Sequence, residues 1–160
     1  MKKILLYLLP VLLVACSGGD SNPIIRIEKL YINEDQENNY AKEESDIPAL
    51  KKGDRITTVL VLDGNGADLK TFLLKTSGKI EYKMHYEKSE VSSDENLTDD
   101  KHGRLRFLDG VSSTQLIVEA AVTDVDKEGN VKLSFYLSSK AECDGAQETI
   151  QLTVDDGREW

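Results

Sequence analysis

Histidine, tryptophan, cysteine and proline are all scarce in this chain. There are two histidines, one tryptophan, two cysteines and three prolines in 160 residues. His85 and His102 do not pair with each other or with a cysteine at metal-ligand spacing, and no Gly-x-Ser-x-Gly, Walker loop or dinucleotide-binding glycine pattern occurs. Nothing in the motif content points to an enzyme, a resident cofactor or a metal centre. Basic charge is also short, with 20 Lys and Arg against 29 Asp and Glu and a formal charge of -9. A nucleic acid is therefore excluded as the main partner, because its phosphates would repel the chain. Apolar residues make up 39% of the whole, a normal supply for a core, and 160 residues hold one ordinary domain with no room for a second large one.

The leading residues have a clear pattern. Lys2 and Lys3 give a positive start, residues 4–14 are almost wholly apolar, and Leu13-Val14-Ala15-Cys16 ends the run. That run is shorter than the roughly 17–25 residues a spanning helix needs, so it reads as a cleaved secretory leader over 1–15. The tetrad resembles the lipobox of bacterial lipoproteins. The resemblance implies cleavage before Cys16, a diacylglycerol on its thiol, palmitate among the attached acyl chains, and a membrane partner reached through that lipid alone. Ser17 in second place implies the outer membrane, with the domain hanging on the cell surface or the periplasmic face. Residues 16–23, small and polar after the cysteine, read as a flexible tether. With Cys16 lipidated, Cys143 is the one remaining thiol, no internal disulfide can form, and Cys143 reads as a small buried residue.

From Ile24 onward the apolar residues recur at period two in short runs divided by Gly, Asn, Asp and Ser, the pattern of half-buried strands. The clearest lies at 79–87, where Ile80, Tyr82, Met84 and Tyr86 alternate with Glu81, Lys83, His85 and Glu87. At 115–123 Leu116, Val118, Ala120 and Val122 face inward, and at 131–138 Val131, Leu133, Phe135 and Leu137 do so. Further strands are expected at 24–32, 56–62, 69–75, 104–108 and 148–154. About seven to eight antiparallel strands follow, an all-β sandwich or barrel over 24–154 with a short tail at 155–160. Two polar stretches interrupt the pattern, 33–48 and 88–103. Each carries five or six carboxylates, and both are expected to be solvated, mobile loops.

Leu50-Lys51-Lys52-Gly53-Asp54-Arg55-Ile56 resembles the start of an early strand in bacterial immunoglobulin-like and polycystic-kidney-disease-type domains. Val122-Thr123-Asp124 with Glu128-Gly129-Asn130 resembles the late hairpin of the same domains, although here the chain runs on through Cys143 to a further strand. Together with the lipobox, these features resemble the uncharacterised small lipoproteins of Bacteroides-type bacteria, domains of unknown function. The resemblance implies an immunoglobulin-like β-sandwich and a noncatalytic binding or accessory role toward a protein or glycan partner. A fimbria-like subunit assembling by strand exchange is the alternative, with 148–154 as the strand to exchange.

Few residues suggest chemistry. Asp124, Asp126, Glu128 and Asn130 place oxygens at alternate positions with Gly129 sixth, like the start of a calcium loop. Position twelve would be Phe135, an inward core residue where a bidentate glutamate is required, so the segment reads as a β-hairpin loop with Gly129 at positive φ and no metal is assigned. His85 stands among Glu81, Lys83 and Glu87 and reads as a cross-strand charge partner. The aromatic side chains available as sugar platforms are Tyr136, Tyr40 and Trp160.

Overall fold

The computed structural model describes residues 21–125 and 129–155. The leader, Cys16, the tether before Ser21, Asp126, Glu128 and Trp160 lie outside the described residues. Eight strands form: β1 (Ile24–Ile32), β2 (Arg55–Asp63), β3 (Leu69–Ser77), β4 (Ile80–His85), β5 (Arg104–Arg106), β6 (Ser113–Val122), β7 (Asn130–Ser139) and β8 (Ala146–Thr153). They make two antiparallel four-stranded sheets, ordered β1-β2-β6-β4 and β5-β3-β7-β8. The first order is the A-B-E-D sheet of an immunoglobulin sandwich. β3-β7-β8 is its C-F-G sheet, with β5 added at the edge. The fold is all-β, as the period-two pattern indicates, and its strand order is immunoglobulin-like, as the resemblance of the 50–56 and 122–130 segments implies.

The alternation that defines each strand also builds the core. Ile56, Thr58, Leu60 and Leu62 of β2 and Leu116, Val118, Ala120 and Val122 of β6 are buried on one sheet. Val131, Leu133, Phe135 and Leu137 of β7 meet them from the other, where the Phe72 and Phe135 rings stack with centroids 6.3 Å apart. β1 keeps its phase by a bulge between Ile27 and Lys29, so that Ile25 faces inward before it and Leu30 and Ile32 after it.

The two acidic stretches are not free loops. Residues 33–48 fold into 3-10 turns at Tyr40–Lys42 and Glu44–Asp46, and Tyr40, Ala41 and Ile47 pack against the core. The Asn39 side chain pairs with edge strand β1, accepting from Leu30 N at 2.9 Å and donating to Glu28 O at 3.1 Å. One amide thus serves as a rung at the bulge and blunts an open sheet edge. Farther on, Leu50 bridges Val154 beyond β8, donating to Thr153 O and accepting from Asp155 N.

Residues 88–103 form the matching strap between edge strands β4 and β5. Val91 is buried and bridges Phe107, Glu90 accepts from the Thr114 hydroxyl, and Asp99 bridges Arg104. The Tyr82 and Tyr86 hydroxyls donate to Lys101 O at 3.0 Å and Asp100 Oδ2 at 3.3 Å, so these two tyrosines join core to strap. Burial, then the nearby Asp100 and, for Tyr82, Asp99, push both phenols above their ordinary pKa. Gly103 ends the strap at φ +80°, and its carbonyl accepts from Leu74 N of β3 at 2.9 Å. A Cβ there would lie 2.3 Å from Leu74 O, so only glycine permits this close approach.

The expected hairpin at 122–130 is also corrected. β6 pairs with β2 and β4, whereas β7 pairs with β3 and β8, so the connection carries the chain from one sheet to the other. Gly129 does take positive φ, +64°, and its carbonyl accepts from Val154 N. A turn glycine is needed for either kind of connection, which is why the residues resemble a hairpin.

Candidate functional site

The outer face of the β1-β2-β6-β4 sheet holds a broad depression of about 640 Å³. Register places its residues in cross-strand rows: Tyr31, Thr57, Glu119 and Lys83 in one, Lys29, Val59 and Ile117 in the next, which His85 continues outside the depression. Val59 and Ile117 stand side by side on the central strands, half-exposed, with Ala121 four residues along β6. Around this apolar centre the rim is charged and balanced in sign, with Lys29, Arg55 and Lys83 against Glu34, Glu81 and Glu119. Arg55 Nη1 lies 3.5 Å from Glu34, and His85 Nε2 lies 3.0 Å from Glu119 Oε2, both pairs exposed. His85 thus takes the cross-strand role its position suggests, and such exposed pairs contribute little stability. An apolar centre within a polar rim is the arrangement of a protein-binding patch.

The depression was not singled out from the sequence, although a signal existed. In β2 and β6 the outward positions Val59, Val61, Ile117 and Ala121 are apolar as well as the inward ones, so both faces of the central strands carry apolar side chains. A solvent-facing antiparallel strand alternates instead.

The residues considered for chemistry are dispersed. His102 Nδ1 lies 2.8 Å from Asp99 Oδ2 at the end of the strap, and this hydrogen bond, more than any other influence, holds the Asp99 carboxyl below its usual range. Asp124 lies 3.8 Å from Lys52 Nζ and accepts from Val125 N, while Asn130 sits in the β7 ladder opposite Thr153. With Asp126 and Glu128 outside the described residues, the calcium-like run stays a pattern of sequence alone. Among the described residues no group of three or more His, Cys, Asp and Glu is placed to hold a metal ion. Cys143 is half-buried, not enclosed as expected, because it lies in the β7–β8 turn and not on a strand. Its Sγ lies 3.6 Å from Ser139 Oγ and 3.5 Å from Ser21 O, so the described chain begins beside this turn. Of the aromatic platforms, Tyr40 packs against the core, and Tyr136 faces outward on the second sheet with Lys75 Nζ 5.4 Å from its ring centre.

No curated protein matches the chain. Among solved structures, the chain is similar to the reeler domain of human F-spondin, at 12% identity and a TM-score of 0.42, covering 86% of this chain and 92% of that one. A family model matches residues 16–154, nearly the whole length, and the chain belongs to that family, the domain of unknown function DUF5035.

Proposed function

We propose that this protein is a noncatalytic, lipid-anchored module of the bacterial outer membrane that binds a protein partner through the outer face of its first sheet. The observation that carries the binding role is the apolar centre of Val59 and Ile117, half-exposed and set in a charged rim on a strand face that no other described element covers. Burying the remaining exposed apolar surface of this pair against a partner contributes about 25 cal/mol per Å², while the rim sets orientation. The anchor is supported by Leu13-Val14-Ala15-Cys16, and the family match begins at that cysteine. Ser21 and Asn22 lie at the end of the sandwich bearing the β2–β3 and β7–β8 turns, where Asn65 Nδ2 donates to Asn22 O. That end would sit nearest the membrane and leave the sheet faces standing clear of it.

The test is retention of a partner from detergent-solubilised envelopes of the native organism by the full tagged chain. A defined protein should be held by the wild type and lost by Ile117→Lys. The unfolding free energy of the variant should be unchanged within the small range typical of surface substitutions, about 0.5 kcal/mol. Equal retention by wild type and Ile117→Lys would remove this face from the account.

A further inference from the structure

The outer face of the β5-β3-β7-β8 sheet has a composition unlike the rest of the chain. The chain carries 29 acidic residues, yet the four strands of this sheet contain one, Glu148. Glu148 is in register with buried Phe135, so it lies on the opposite side from the outer face, and there its charge acts on Glu44. The outward positions carry Lys75, Arg104, Arg106 and Lys132, and otherwise hydroxyls, amides, Leu73 and Tyr136. Four cations with no carboxylate among them form a positive strip on a protein of charge -9.

Among the described residues, two carboxylates bordering the strip, Asp99 and Asp109, are already engaged. Asp99, beside Arg104, is bonded to His102. Asp109, whose charge faces Arg106, is bonded to Lys140, which also lies 3.6 Å from Asp68. A second depression, about 400 Å³, lies on this face between Thr71, Tyr136, Ser138 and Gln147. Its lining is mainly apolar, with Leu73, Leu137 and Ala146, and its few polar groups are hydroxyl and amide, which donate to and accept from a sugar's hydroxyls. Arg106 Nη1 reaches Thr71 Oγ1 at 3.4 Å, so a guanidinium stands at the depression's rim, and Lys75 lies over the Tyr136 ring on the same face.

We propose that this face binds an acidic polysaccharide of the uronate-bearing kind. Carboxylates would pair with the guanidinium forks of Arg104 and Arg106 and with Lys132, ring hydroxyls with Thr71, Ser138 and Gln147, and a sugar face with Tyr136. A membrane surface fits less well. Among the described residues, the exposed large hydrophobics Ile24, Leu97 and Leu108 lie outside the four strands of this sheet, and its own Leu73 and Tyr136 are half-buried, which leaves little apolar surface to insert among lipids. Duplex nucleic acid, with a charge about every 1.7 Å, would be repelled by the rest of the chain far more than a uronate chain is. This proposal is independent of the protein-binding role of the first face.

The experiment is calorimetric titration of the full chain in detergent with oligogalacturonate at low ionic strength, with dextran as the neutral control and single-stranded DNA as the competing polyanion. The wild type should bind oligogalacturonate and not dextran. R104Q/R106Q/K132Q should bind it at least about tenfold more weakly, the effect of one lost charge-assisted contact or more. Lys132→Glu should weaken it as well, and it keeps the assignment testable should the triple variant unfold. K29Q/R55Q/K83Q on the first sheet should bind within about twofold of the wild type. The proposal is overturned by no binding to oligogalacturonate, by equal binding to dextran or to DNA, by retained affinity in the second-sheet variants, or by an equal loss in the first-sheet variant.

Discussion

The two sheets share one inner pattern and differ on their outer faces. Inward, both present rows of Leu, Ile and Val, to which the second adds Phe72 and Phe135, and exchanging one row for the other would change little in kind. Outward, the first sheet has half-exposed Val59 and Ile117 within a rim of both signs, whereas the second has four cations, many hydroxyls and no carboxylate. The inner faces answer to one demand, the burial of apolar area, and so they converge. No folding requirement of that kind acts on an outer face, and its side chains can therefore be set by what it meets.

The largest effect expected of any change is loss of both faces together. β8 buries Ile150 and Leu152, and Val154 follows it into the core, so deletion of 146–154 should leave no cooperative unfolding transition by circular dichroism. A folded monomer after that deletion would favour assembly by strand exchange instead. A smaller change should separate the faces. Gly103→Ala forces a Cβ toward Leu74 O at positive φ and should cost about 1–3 kcal/mol in urea unfolding. Because Gly103 adjoins β5, binding of oligogalacturonate should weaken in this variant while the first face keeps its partner.

The smallest effect should touch neither face. Glu44 is half-buried, and its carboxyl is pushed above the ordinary range by burial first and by Glu148 second. A carboxyl whose folded pKa exceeds its unfolded value favours folding when protonated, so its contribution turns unfavourable as pH rises through that window. Glu44→Gln should raise the melting temperature slightly at neutral pH, and the gain should vanish as pH falls below the ordinary carboxylate range. A gain that grows toward acid pH would contradict the assignment.

The strands were legible because alternation is a property of sequence alone. The spans 24–32, 69–75 and 79–87 fall on β1, β3 and β4 with little adjustment. The straps were not, since 33–48 and 88–103 have the composition of solvated loops, and their order depends on single long-range contacts such as Asn39 with β1 or Tyr82 with Lys101 O. Composition cannot register such contacts. The 122–130 connection misled for a different reason: Gly129 satisfies the same backbone need in a hairpin and in a crossing between sheets. As for the faces, the neutral and cationic strands of the second sheet stand out only when four separate segments are read together, and that grouping comes from the sheet order.

The central claim is that the two outer faces meet different partners. It is tested most directly by placing a photo-crosslinking amino acid at Ile117 in one strain and at Ser134 in another, then irradiating intact cells of the native organism. The account predicts a discrete protein adduct from position 117 and none of the same mass from position 134. The same protein adduct from both positions, or none from position 117, would contradict it.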